Sequence, residues 1–537
     1  MRNLVFIGSL FIQTILRASD PYPRNEAIDV RHYQFTLELN DTTDIIAGVT
    51  EIGIRFKKSV NDFELDLAGA DGNGNGMVVK EVLRDLVPLK FTHQNDRLKI
   101  ILPSPSQPGM ESKFIIRYGG IPAKGLIISK NKFGARTFFG DNWPNRAHFW
   151  LPVIDHPYDK ATCEFIVTAP EHYSVIATGE KIEESALSKN RKLTHWKTAI
   201  VLPVKVMTMG VARFAISYEG NINNTSLETW VYPQNRLEGF SDFAIAARPL
   251  DYFSKSIAPY PYEKLANVQS TTYYGGMENA GNIFYAENLV TGKGKIESLI
   301  AHEIAHQWFG NSASEADWHH VWLSEGFATY FANLYFENSY GSQRFREEMQ
   351  ADRNQVVAYF KKDPTPVVNL SIVDITRVLN TNSYQKASWV LHMLRHETGD
   401  QKFWEGIRNY YRQYQLGNAL TDDFRKVMET VSGKDLSKFF NEWIFNPGHP
   451  NLSVHWQYLP KQKLIRITVE QRQEYLFDFP LEIEIQNADG GITIEKNRIS
   501  LRKQELTIPF AGKPASLVLD PEVWLLFEGQ MKELSRK

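Results

Sequence analysis

One cysteine, Cys163, stands in 537 residues. A lone thiol can form neither an intramolecular disulfide nor a thiolate cluster, so a disulfide framework and a cysteine-based zinc site are both excluded. Cys163 lies in the strand-like run Ala161-Thr162-Cys163-Glu164-Phe165-Ile166-Val167 and reads as a small buried hydrophobe. Charge of one sign is also lacking. Lys plus Arg number 60 and Asp plus Glu 62, for a net charge of −2, with no long run of either sign. That excludes the basic stripe by which a protein binds nucleic acid. Internal repeats and low-complexity tracts are absent. No apolar run reaches membrane-spanning length. The nearest approach, Leu4 to Leu16, follows Met1-Arg2-Asn3 and precedes Arg17-Ala18-Ser19. A positive start, a short apolar stretch and a small-residue exit read as a signal peptide over residues 1–19. The chain is therefore expected to be exported, to a periplasm or the extracellular space, with no stable membrane span after signal removal.

What is present is an ordinary globular composition, 43% hydrophobic and 12% aromatic. The length suggests about three or four domains. Residues 20–215 alternate apolar and polar, as in Tyr33, Phe35, Leu37 and Leu39, and turn clusters break the runs at short intervals. This predicts an antiparallel β domain. Asp71-Gly72-Asn73-Gly74-Asn75-Gly76 imitates the start of a calcium loop, but position twelve is Val82 where a bidentate Glu is needed, so a hairpin loop is expected. From 216 to 447 the period becomes helical, with segments at 243–257 (to be ended or kinked by Pro249), 296–310, 324–338, 343–361, 385–397, 402–415, 421–431 and 435–446. Residues 448–537 return to short alternating strands, with Ser516-Leu517-Val518-Leu519 the penultimate one, and read as a β-sandwich.

The sharpest motif is His302-Glu303-Ile304-Ala305-His306. On a helix, residues four apart lie about 40° apart and one turn on, so both imidazoles reach one metal. Glu303 lies about 100° round from His302, free to act as a base rather than a ligand. Catalytic zinc takes three protein ligands. After His306, eighteen residues intervene before Glu325, in Trp322-Leu323-Ser324-Glu325. Ser324 resembles an N-cap, so Glu325 would open the next helix and point back.

His302-Glu303-x-x-His306 with Glu325, preceded by Gly275-Gly276-Met277-Glu278-Asn279 and followed by Tyr384-Gln385-Lys386-Ala387, resembles the M1 family of zinc aminopeptidases, among the gluzincins. The resemblance implies a multidomain α+β fold: an N-terminal β saddle domain, a thermolysin-like α-rich catalytic domain and a C-terminal β-sandwich. The chain would be a short form lacking the helical C-terminal domain of many relatives. It implies one Zn2+ per chain, held by His302, His306 and Glu325. Glu303 would activate the zinc-bound water and Tyr384 would stabilise the oxyanion. Gly275, Gly276, Met277, Glu278 and Asn279 would bind substrate, with Glu278 on the terminal amine. Partners would be peptides with a free N-terminus, and no nucleic acid; the oligomeric state is not readable. Asn311 and His320 read as supports rather than ligands.

One departure concerns the first domain, which in this family often supplies a Gln or Glu to the amine. Aligned through Leu151-Pro152 and Asp155-His156-Pro157, that position is Trp143, with Asp141 and Asn142 as possible substitutes. Two alternatives stand beside the aminopeptidase reading. One is a lipid-epoxide hydrolase, which would need an Asp where Thr376 stands, two residues from Asp374. The other is a non-catalytic peptide-binding relative.

Overall fold

The structure, a computed structural model, describes residues 20–534. The signal-like segment 1–19 lies outside the described residues. Alternating burial produces the long strands of the N-terminal part. In Ile28–Glu38, Tyr33, Phe35 and Leu37 face inward while Gln34 and Thr36 do not. This strand pairs antiparallel with Ile46–Phe56 and parallel with Lys160–Pro170, at the centre of an eight-stranded sheet. Cys163 is buried there and free. The Asp71 loop is not a hairpin. It joins Asp62–Asp66, which pairs with Arg97–Ile101, to Gly76–Arg84, which pairs with Glu111–Ile121 in a different sheet. The Asp71 carboxylate is spent locally, on the N–H groups of Asn73 and Asn75.

A five-stranded sheet follows, in the order Ala215–Ile222, Thr225–Val231, Lys264–Ser270, Asn282–Ala286, Gly276–Met277. Its edge strand, Gly276–Met277, runs antiparallel to Asn282–Ala286 and contacts the helix Glu297–Ala305. The remaining long helices are Trp322–Tyr340, Ser342–Phe360, Ala387–Thr398, Asp400–Tyr414 and Thr421–Ser432. Phe309, Phe327, Phe331, Tyr410 and Phe424 interlock among them, with ring centroids 4.7 Å apart for Phe309–Phe327 and 5.0 Å for Tyr410–Phe424.

Two expected helices end differently. The 243–257 segment breaks before Pro249, at the tight turn Ala244–Ala246, and Pro249 lies in the first turn of Ala247–Ser256, where its missing N–H costs nothing. The 296–310 segment stops at Ala305, with His306 closing it.

From Asn451 the chain forms a four-stranded and a three-stranded sheet. Ile465, Ile467, Val469, Leu481, Ile483 and Ile485 supply their buried faces, and Ser516–Leu519 is the penultimate strand. This part docks on the helices through Asp520, which accepts from Arg353 at 3.0 Å, and through Trp524, stacked between His392 and His396 at 4.5 and 4.7 Å.

Candidate metal centre

His302 and His306 leave one side of their helix, and their Nε2 atoms lie 3.0 Å apart. Glu325 Oε2 lies 3.4 Å from the first and 3.2 Å from the second. Glu325 occupies the first turn of Trp322–Tyr340, which packs against the His302 helix. A tetrahedral zinc with bonds of about 2.0–2.1 Å has ligand–ligand edges of about 3.3–3.4 Å, so this triangle fits it. Two imidazole nitrogens and a carboxylate are also a donor set that zinc takes. Among the described residues, these three form the group able to hold a metal ion.

The loop after the helix prepares His306. Its Nδ1 faces the Phe309 carbonyl at 3.2 Å and Ser324 Oγ at 3.1 Å. A carbonyl only accepts, so Nδ1 carries a proton and Nε2 is the atom that would face a metal in the triangle. Gly310, at φ +112°, makes the tight return; a Cβ there would lie 2.9 Å from Ser324 Cβ and 3.2 Å from His306 Nδ1. Ser324 is therefore no helix cap. The helix starts two residues earlier, behind the short turn Trp318–His320 that Asp317 caps, and Ser324 is left inside it, against the histidine ring.

Glu303 stays out of the triangle and lies under the edge strand. A Cβ on Gly276 would fall on its carboxylate, which is why that position is bare. Burial pushes the Glu303 carboxyl well above the usual range; His306 opposes this, while Glu278 and Glu325 add to it. Burial also raises Glu278, against His306 and with Glu325. Burial acts the same way on Glu325, but there the two imidazoles win and hold it low. Three carboxylates this close cannot all be charged without a cation, which is the electrostatic side of the same fit.

The Glu278 main chain is fixed from the loop after His306. Its carbonyl accepts from Gln307 Nε2 at 3.0 Å and Asn311 Nδ2 at 2.6 Å, and Gln307 Oε1 accepts from Gly281 N–H at 3.0 Å. Its own Oε1 is buried without a hydrogen-bond partner. Gln307 escaped the sequence reading; its place beside the second histidine was the available signal.

Gly275, Gly276, Met277 and Glu278 line a cleft of about 690 Å³ with His302, Glu303, His306, Glu325 and Tyr384. Asn279 does not join them. The edge strand ends at Met277, the chain turns so that Asn282 N–H donates to the Asn279 carbonyl at 3.0 Å, and the side chain is buried in the interior. Tyr384 sits in the single wide turn Asn382–Lys386, its ring 5.9 Å from that of His302 and tilted by 14°. Burial, then Glu325, Glu278 and Glu303, hold its hydroxyl protonated. His320 bonds Thr421 Oγ1 at 2.8 Å, away from the triangle. Asp374 is exposed and caps Thr376 N–H at 3.1 Å, and neither lines the cleft.

Trp143 lines the cleft, 2% exposed, its ring edge-on to Tyr274 at 6.2 Å and Trp318 at 5.5 Å. Neither neighbour replaces the missing polar group. Asp141 accepts from Thr272 Oγ1, Tyr273 N–H and Arg146, at 2.7, 2.9 and 2.6 Å. Asn142 is held by Trp150 Nε1 at 2.8 Å and the Met207 carbonyl at 2.7 Å.

A β-rich part followed by a helical part, with two histidines and a glutamate converging on one point, defines a metal-centred cleft of the His-Glu-x-x-His class. The chain matches the peptidase family M1 domain over residues 242–443 and the peptidase M1 N-terminal domain over residues 30–204, and it belongs to the M1 peptidase family. It is 27% identical over 413 residues to a glutamyl aminopeptidase of Bitis rhinoceros, covering 73% of this chain and 42% of the relative. It is 29% identical over 344 residues to aminopeptidase A of Gloydius brevicauda, covering 60% and 35%. To aminopeptidase M1 of Arabidopsis thaliana it is 25% identical over 327 residues, covering 58% and 37%. The matched stretch thus spans less than half the length of each of these relatives.

Proposed function

We propose that this chain is a zinc-dependent aminopeptidase that hydrolyses the N-terminal bond of peptides. His302, His306 and Glu325 would hold one zinc, whose Lewis acidity makes water nucleophilic near neutral pH and polarises a carbonyl. Glu303 takes the proton of the attacking water and returns it to the leaving amine. The Tyr384 hydroxyl donates to the developing oxyanion. The observation that carries the exopeptidase reading is the buried, partnerless Glu278 Oε1 in the same cleft as the triangle. A substrate ammonium supplies the missing partner, and the amine of a chain terminus brings one within a residue of the bond at the triangle. The same requirement disfavours a lipid-epoxide substrate.

Trp143, Tyr274 and Met277 line the cleft together with Glu278. Arg146 is committed to Asp141 and to the faces of Tyr273 and Tyr274, at 4.5 and 5.5 Å. We therefore read the first subsite as taking an apolar side chain, in contrast to the acidic one in the names of the glutamyl relatives. The domain division at about residues 215 and 447, with residues 448–537 as a β-sandwich, belongs to the same proposal. The change of sheets between Ala212 and Ala215 and the new sheets from Asn451 support it.

The test is hydrolysis of aminoacyl anilides with and without a zinc chelator, and with N-acetylated substrate. Chelation and acetylation should each abolish turnover, and a leucyl substrate should outpace a glutamyl one. Equal rates on free and blocked substrate would overturn the exopeptidase reading.

A further inference from the structure

Glu278 and Asp352 both line the cleft but come from different elements. Glu278 is tied to the C-terminal end of the His302 helix through Gln307 and Asn311. Toward the other end of that helix the lining passes through Leu299, then to Asn333 on the Glu325 helix, and then to Asp352 on Ser342–Phe360. On the reading above, a peptide whose ammonium sits at Glu278 and whose first bond lies at the triangle sends its remaining residues this way.

Asp352 is half-buried and has one partner, Asn333 Nδ2, which donates to its Oδ2 at 2.9 Å. No described cation pairs with it. Of the other charged groups lining this end, Glu348 is ion-paired with Arg344 on its own helix, and Lys295 is exposed on the segment before the His302 helix. Burial raises the Asp352 carboxyl to about 7; Asn333 opposes this and Glu348 adds to it. A carboxylate withdrawn from water without a cation is unfavourable for the fold alone, and an arriving cation would offset that.

The spacing suits such a cation. Glu325 to Asn333 is eight residues on one helix, about 12 Å. An extended peptide advances about 3.4 Å per residue, and a lysine or arginine side chain adds roughly 6 Å. We propose that Asp352 determines specificity by selecting a lysine or arginine at the second or third position of the peptide. The inference rests on the aminopeptidase orientation proposed above.

The experiment compares kcat/KM for C-terminally amidated tetrapeptides with Lys, Leu or Glu at the second or third position. Amidation removes the carboxylate that Lys295 could otherwise attract. Lysine should exceed leucine by about tenfold at one of the two positions. Asp352→Asn should bring that ratio close to one, and Lys295→Met should leave it in place. Equal rates for Lys and Leu, or a preference that survives Asp352→Asn, would overturn the proposal. Calorimetric binding of the same peptides to zinc-loaded Glu303→Gln enzyme reads the preference without turnover. Loss of hydrolysis on every peptide would then count against the aminopeptidase reading, whereas equal binding of Lys and Leu peptides would count against Asp352.

Discussion

Two of the regions in which this molecule buries acids treat them differently. Behind the cleft, Glu315 is fully buried and meets Lys205 Nζ at 2.6 Å, while nearby Lys160 donates to the carbonyls of Ser312 and Gly417 at 2.7 Å each. In the cleft, Glu303 and Glu278 are as deeply buried, yet no lysine or arginine pairs with either among the described residues. The first region settles its charge inside the fold. On the function proposed above, a metal ion and a substrate amine would settle the charge of the second. A buried acid is thus informative only together with its partners.

The largest effect should come from Glu303→Gln, which keeps shape and removes the base. On the proposed mechanism kcat should fall about 10³-fold, while zinc content by atomic absorption stays at one per chain. Full activity in this variant would break the functional half of the comparison. Next, Lys205→Met strands the Glu315 charge and should cost about 3–5 kcal/mol, read as a lowered urea midpoint. Lys205→Met with Glu315→Leu should recover most of it. A double variant no more stable than the single one would mean the pair is not the structural element described.

The smallest effect sharpens the contrast with a third kind of acid. Asp159 is buried far from the cleft, accepts from Val30 N–H at 3.4 Å, and burial raises its carboxyl to about 7 from an ordinary 3.8. The folded form therefore binds the proton more tightly than the unfolded one. Stability is highest below the unfolded value and falls as pH rises from about 4 to about 7. Asp159→Asn cannot titrate, so its melting temperature should drop less between pH 4.5 and 8, by a few degrees. An unchanged pH slope would show that Asp159 is already ionised in the fold.

The donor triangle was legible in the sequence because helical periodicity puts His302 and His306 on one side, while Glu325, which alone would merely suit a helix start, was marked by its spacing from that motif and by the family resemblance. The strand-to-helix-to-strand progression was legible for a similar reason, since hydrophobic period is local. What escaped depends on approach between distant segments. Ser324 resembled a cap because its neighbours in sequence look like a helix start; its contact with His306 comes from the loop turning at Gly310. Asn279 looked continuous with Glu278, but the chain turns after Met277 and buries the Asn279 side chain away from the cleft that Glu278 lines. Asp352 carries no motif, and only the packing of Ser342–Phe360 against Trp322–Tyr340 brings it to the cleft.

The grip of Lys160 and Lys205 on the segment 311–315 has a consequence for how the protein can be divided. Both lysines come from the strand-rich half, and both end a few residues beyond His306, the second histidine of the donor triangle. Expressing residues 216–447 alone would strand the Glu315 carboxylate and strip three carbonyls of their donor, so the catalytic half should not survive as a separate fragment.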